Sequence, residues 1–208
     1  MSSTQPRKTT KKVLLSIAAV AATAGLAGAG TYANFTGSVA ASQTVSTGTM
    51  TIALGATGSS SNRLNINASA FAPTDTMQRS VDLSVTGTVG LSAINLTTAD
   101  TVVTPTILST DATNGLQIAV DRCSVPWTEA GVSPAFTYTC TGATTVALAS
   151  SAVVGTNRAL AGLLTAAGST NYLRVTLTLP GTAGDTFQSK TATISSTFNG
   201  VQRAGISQ

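Results

Sequence analysis

The sequence predicts an all-β protein, an antiparallel jelly-roll-like β-sandwich with one or two short helices. Three observations carry this prediction. Of the 208 residues, 38 are threonine and 23 are serine; threonine and valine favour strands, and with glycine they are poor helix formers. Apolar residues recur at every second position along eight segments, with polar residues between them, the pattern of half-buried antiparallel strands. Turn signals separate those segments at short intervals, as in sandwiches and jelly rolls. Disorder is excluded, because 42% of the residues are hydrophobic and the net charge is low.

Met50, Ile52 and Leu54 open the series, and Leu64 and Ile66 follow after the Gly55 to Asn62 turn. Pro73-Thr74-Asp75 precedes the next strand, in which Val81, Leu83 and Val85 alternate with Asp82, Ser84 and Thr86. Val89, Leu91 and Ala93 continue the alternation, and then Ile94 and Leu96 shift phase, which predicts a β-bulge. Beyond Asn114-Gly115, Leu116, Ile118 and Val120 lead into Cys123, and Phe136, Tyr138 and Cys140 share one face. Leu173, Val175, Leu177 and Leu179 make the clearest strand, with Arg174, Thr176 and Thr178 opposite, before the Pro180-Gly181 turn. Ala192, Ile194, Ser196 and Phe198 end the series at Asn199-Gly200. Residues 146–167 break the pattern: Ala147 to Val154 and Ala159 to Ala166 are rich in Ala and Leu and predict the short helices.

The N-terminus carries Arg7, Lys8, Lys11 and Lys12, then an uncharged run from Val13 to Ala33. A basic start, an apolar middle and a small-residue end make a secretory signal peptide, residues 1–33. A retained membrane anchor is the rival reading, since the run is about long enough to span a bilayer; its end, mostly Gly and Ala, is weakly hydrophobic and favours cleavage. Ala27-Gly28-Ala29 and Thr31-Tyr32-Ala33 both fit the small-x-small rule, so the cut follows Ala29 or lies between Ala33 and Asn34.

The formal charge of +4 leaves with that segment. What remains is Arg63, Arg79, Arg122, Arg158, Arg174, Lys190 and Arg203 against Asp75, Asp82, Asp100, Asp111, Asp121, Glu129 and Asp185, seven of each. No basic face survives for nucleic acid, and membrane contact is expected only through the signal before cleavage. Residues 34–208 are expected to form a single domain.

Cys123 and Cys140 are the only cysteines. In an exported chain they predict a disulfide, which pins two neighbouring strands or their connecting loop. Trp127 lies inside that loop and is expected to pack over the bridge rather than to form a ligand platform. There is no histidine, which excludes a Ser-His-Asp triad, a Cys-His dyad and histidine-containing zinc sites. The seven acids are scattered; Asp111 and Asp121 could meet across a hairpin as a glycosidase pair, but solvated turn and strand positions explain both. Ser189 and Lys190 are adjacent, a poor geometry for a dyad on a strand. No acidic EF-hand-type loop is present, and a calcium at Thr110 to Gly115 is left open; no cofactor is expected. Asn34-Phe35-Thr36, Asn67-Ala68-Ser69 and Asn95-Leu96-Thr97 match the glycosylation pattern at near-chance frequency. Leu179-Pro180-Gly181-Thr182 starts like a cell-wall sorting signal but lacks its apolar tail.

Four stretches carry a resemblance. Gly30-Thr31-Tyr32-Ala33-Asn34-Phe35 is followed by Ser46-Thr47-Gly48-Thr49-Met50-Thr51-Ile52, then by Phe71-Ala72-Pro73-Thr74-Asp75, and finally by Asp185-Thr186-Phe187-Gln188-Ser189 with Phe198-Asn199-Gly200-Val201-Gln202. In this order they resemble the TasA/camelysin family of secreted bacterial proteins. There a G-T-[YW]-A-x-F segment spans the cleavage point and an s-G-t-l-x-l strand follows. An L-x-P-G-D turn precedes a later strand, and an N-x-y-Q-g … f-x-a-x-Q stretch ends the chain. The match covers most of the sequence apart from the Cys-containing middle, and the Thr and Ala content resembles an actinobacterial branch. The resemblance implies a jelly roll, export, cleavage after Ala33 by a dedicated signal peptidase, and surface or biofilm-matrix fibres. In such fibres one subunit's N-terminal segment completes the next subunit's sheet. The peptidase label of some members does not carry over, because no H-E-x-x-H helix exists here.

The expected function is therefore that of a secreted, non-enzymatic fibre subunit at the cell surface or in a biofilm matrix. Its expected partners are its own sheet edges and other matrix or cell-surface components. Residues 34–45, neutral and without a strong apolar pattern, are the candidate donor strand. The alternatives are a monomeric adhesin or carbohydrate-binding module, which requires Trp127 and Tyr138 to be exposed, and a secreted hydrolase or metallopeptidase, which requires gathered carboxylates.

Overall fold

Strands form where apolar residues alternate. The computed structural model, which describes residues 48–64, 66–69 and 71–205, contains β1 (Met50–Leu54), β2 (Ile66–Ser69), β3 (Thr76–Gly87), β4 (Leu91–Asp100), β5 (Gln117–Cys123), β6 (Thr128–Val132), β7 (Ala135–Thr139), β8 (Thr144–Ala152), β9 (Gly155–Ala159), β10 (Thr170–Thr178) and β11 (Thr191–Gln202). One helical turn, α1 (Ile107–Thr110), and a 3-10 turn at Asp185–Phe187 accompany them. The signal segment, the cleavage point between Ala33 and Asn34 and the candidate donor 34–45 lie outside the described residues.

A five-stranded sheet runs β1-β3-β10-β5-β8, a four-stranded sheet runs β2-β11-β4-β9, and β6 and β7 form a separate hairpin. Every pairing is antiparallel. Apart from the β6–β7 insertion, successive strands alternate between the sheets until β5 and β8, which are neighbours in the five-stranded sheet. One core lies between the sheets. Val81, Leu83 and Val85 of β3 and Leu173, Val175 and Leu177 of β10 meet Ile94 and Leu96 of β4 and Ile194 of β11, all buried. Each such side chain stabilises the fold by about 1.5–3 kcal/mol. The buried Asn171 closes the loop ahead of β10, its amide donating to the Leu164 carbonyl at 2.9 Å and accepting from the Leu164 N–H at 2.7 Å.

The expected bulge is present. Val201 of β11 pairs with Ala93 but Gln202 pairs with Leu91, so the register slips by one residue where the apolar phase changes. Val89 belongs to the preceding turn rather than to the strand.

The helices expected in residues 146–167 are absent, and strands stand there instead. β8 pairs with β5 from Thr144 to Ala152, and β9 pairs with β4 from Gly155 to Ala159. Tertiary pairing overrides local propensity here: Ala147 and Val153 are buried in the shared core, and the segment carries the β-branched run Thr144-Thr145-Val146. Gly162, at φ 65, takes a left-handed turn that stops any helix beyond Ala159. The helical turn that does form is capped by Thr106, whose Oγ1 accepts from the Leu108 N–H at 3.3 Å. No described helix is long and apolar enough to cross a membrane.

Candidate functional site

The residues singled out for catalysis are drawn into separate structural duties. Asp111 Oδ1 accepts from the Thr113 and Asn114 N–H groups at 2.8 and 2.9 Å, which lowers its carboxyl pKa and caps the turn after α1. Asp121 Oδ2 accepts from Arg174 Nη2 at 2.7 Å. The two carboxylates therefore serve different partners and form no pair. Ser189 and Lys190 are exposed in the turn ahead of β11 rather than on the strand.

Cys123, at the end of β5, and Cys140, just after β7, form the expected disulfide, with Cα atoms 5.8 Å apart. It closes a loop holding the β6–β7 hairpin, which several side chains then mount on the five-stranded sheet. Glu129 accepts from Arg63 Nη2 at 2.8 Å and Nε at 3.1 Å and from the Tyr138 hydroxyl at 2.8 Å. The Arg63 hydrogen bonds hold the Glu129 carboxyl below its usual pKa. Arg63 and Arg79 lie over the Phe136 ring at 4.5 and 5.6 Å, and Arg79 donates to the Pro134 carbonyl at 3.1 Å. Arg174 lies 4.6 Å over Trp127, whose indole N–H donates to the Tyr172 carbonyl at 3.0 Å. Tyr172 is the register partner of Cys123, so Trp127 sits beside the bridged strand. Tyr138 is buried and Trp127 half-buried, so neither is an open platform. The sequence reading missed this cluster because Arg63, Arg79, Glu129 and Tyr138 are far apart in the chain and belong to no motif. The scarcity of arginine and aromatic residues was the only available signal.

The sheet edges differ. The five-stranded sheet ends on β1 and β8, and the four-stranded sheet ends on β2 and β9. β1 pairs with β3 in unbroken register from Met50–Gly87 to Leu54–Leu83. β2 covers β11 only from Thr191 to Ile194, whereas β4 follows the other side of β11 from Ile194 to Gln202. Among the described residues, therefore, no strand lies along the β2-side edge of β11 beyond Ile194. The chain leaves that line because residues just before β2 belong to the other sheet: Asn62 bridges Val81, and the Arg63 N–H donates to the Ser80 carbonyl. Where β1 passes this uncovered half of β11, a cleft of about 280 Å³ opens, lined by Met50, Thr51, Ile52, Leu91, Phe198, Asn199 and Gly200.

Fold and edges define a β-sandwich in which, among the described residues, no strand pairs with the β2 side of β11 beyond Ile194. The chain belongs to the camelysin family: the family model described as camelysin metallo-endopeptidase matches residues 8–207. No curated protein matches the chain.

That description implies a catalytic metal, and the donor set does not fit one. Histidine is absent from the whole sequence, and both cysteines are bridged. All seven carboxylates lie within the described residues, and no three His, Cys, Asp or Glu residues there gather closely enough to hold a metal ion. Asp75, like Asp111, caps a turn, accepting from the Ala72 N–H at 2.8 Å.

Proposed function

We propose that this chain is a secreted, non-enzymatic structural protein, a subunit of a cell-surface or biofilm-matrix fibre. Assembly proceeds when residues 34–45 of one subunit add as a strand to the next. The observation that carries this reading is the β11 edge beyond Ile194, which has no strand beside it among the described residues. An unpaired edge presents N–H and C=O groups that a strand from another chain satisfies. The gap runs for eight residues to Gln202, about 26 Å at strand rise, and the twelve residues 34–45 are long enough to fill it. The balanced charge of residues 34–208 removes self-repulsion as a barrier. Membership of the camelysin family supports the secreted location, and the missing histidine supports a role without metal chemistry.

Burial of Tyr138 and the engagement of Trp127 count against the monomeric carbohydrate-binding alternative. Electron microscopy of purified 34–208 tests the proposal. Fibres are expected, and deletion of residues 34–45 is expected to leave monomers. Purified 34–208 that stays monomeric in every condition overturns the fibre reading. Normal fibres from the deletion variant overturn strand donation.

A further inference from the structure

We propose that Phe35 of one subunit seats in the cleft between β1 and β11 of the next and fixes the register of the added strand. This rests on the strand-donation reading and names the contact that makes it specific.

The cleft presents polar as well as apolar surface and has no occupant among the described residues. Met50 and Ile52 of β1, Leu91 of β4 and Phe198 of β11 line it, with Thr51 and Asn199 at the rim. Met50, Ile52 and Phe198 pack against the core yet remain only half-buried, so apolar surface is left uncovered where the β2 row stops. Gly200 leaves room for the tips of two lining side chains: a Cβ there would lie 2.7 Å from Leu91 Cδ2 and 2.8 Å from Ile52 Cδ1, so a side chain at 200 would displace both. The volume, about 280 Å³, exceeds the roughly 150 Å³ apolar cavity known to accept benzene.

The occupant follows from the chain that precedes β1. Between Asn34 and Val45 the sequence holds no charged residue and one aromatic, Phe35. Weak as its pattern is, a strand built from the segment carries Phe35, Gly37, Val39, Ala41, Gln43 and Val45 on one face and Thr36, Ser38, Ala40, Ser42 and Thr44 on the other. Added beside β11, such a strand turns its apolar face to the core and its hydroxyls to water. Its backbone tolerates many registers. A one-residue slip turns Phe35 outward, and a two-residue slip moves it past the socket, so the phenyl group selects one register. Without that anchor the same face offers only glycine, valine, alanine and Gln43, which specify register weakly.

The test uses the chain starting at Asn34. A photoreactive benzoylphenylalanine placed at position 35 is assembled from mixed light and heavy protein and irradiated. Cross-links to Met50, Leu91 or Phe198 of a different copy are expected. Cross-links elsewhere, or only within one copy, overturn the proposal. In parallel, Phe35→Ala is expected to raise the critical concentration for fibre formation about 10- to 100-fold, and Phe35→Leu to recover most of it. If Phe35→Ala assembles at the wild-type concentration, the anchor is wrong while strand donation stands. If the wild-type chain forms no fibres, the strand-donation reading fails and takes this one with it.

Discussion

Replacing both cysteines with alanine removes the Cys123–Cys140 bridge and should lower the unfolding free energy by about 3 kcal/mol in the chain-entropy model. The figure follows from the separation of 17 residues between the bridged positions. The loss is assigned to the unfolded chain, because the folded hairpin has other anchors: the Arg63–Glu129 pair at 2.8 Å, the Tyr138–Glu129 hydrogen bond at 2.8 Å and Arg174 stacked 4.6 Å over Trp127. Trp127 is the only tryptophan, and it sits at the base of the hairpin, so its fluorescence reports local detachment while far-UV circular dichroism reports the sandwich. Urea titrations of the double variant should show both signals moving together to a lower midpoint, with a slope no shallower than wild type because the unbridged unfolded chain exposes at least as much surface. A fluorescence transition well ahead of the dichroism would show that these side chains cannot hold the hairpin without the bridge. A midpoint shift equivalent to less than about 1 kcal/mol would refute the loop-closure argument itself.

Two carboxylates should pull stability in opposite directions with pH. Arg63 depresses the folded pKa of Glu129, so its contribution is complete above the unfolded value and is lost as pH falls through the folded one; Glu129→Gln should be less stable than wild type at pH 7 and equal to it in acid. Burial raises the folded pKa of Asp82, so its ionisation works against folding; Asp82→Asn should be more stable at pH 7, with the advantage gone once pH drops below the unfolded pKa. Thr74, a β-branched residue at φ 78, occupies the position of glycine in the L-x-P-G-D turn that the sequence resembles; Thr74→Gly should raise thermal stability by about 0.5–1 kcal/mol, the left-handed strain relieved less the entropy glycine adds to the unfolded chain. A lower melting temperature for that variant would show that the turn carries no strain.

Period-two alternation located β1, β3, β5, β10 and β11, because in each one face turns to the core, and β7, whose Phe136 and Tyr138 pack with Arg63, Arg79 and Glu129 instead. Leu173, Val175 and Leu177 are buried at every second position of β10. β6 was illegible because nearly all of it is exposed, so it has no apolar face to alternate. β8 and β9 were misread because composition cannot distinguish an Ala-rich helix from an edge strand held by its neighbour. The bridged cysteines were legible from compartment and spacing. The hairpin clamp was not, since the Glu129 partner is 66 residues away at Arg63.

A fibre built by strand addition needs one receptive edge and others that refuse a partner, or it branches and aggregates. The two sides of this sandwich differ in that respect. On the β8 and β9 side the pairings slip: β8 shifts against β5 between Ile118 and Asp121, and β9 shifts against β4 between Leu96 and Thr98. Bulges twist an edge away from a flat partner and block regular addition. Only the residue pair Val153-Val154 separates β8 from β9, so that flank is also tied across the two sheets. On the opposite side β1 and β2 pair without a slip, and β2 stops early beside β11. On the proposed strand donation, growth at one flank through one segment of fixed length would give an unbranched chain of subunits with a single polarity. That asymmetry comes from strand register and from where the chain crosses between sheets at Arg63. It therefore supports assembly independently of the charge balance and of any family resemblance.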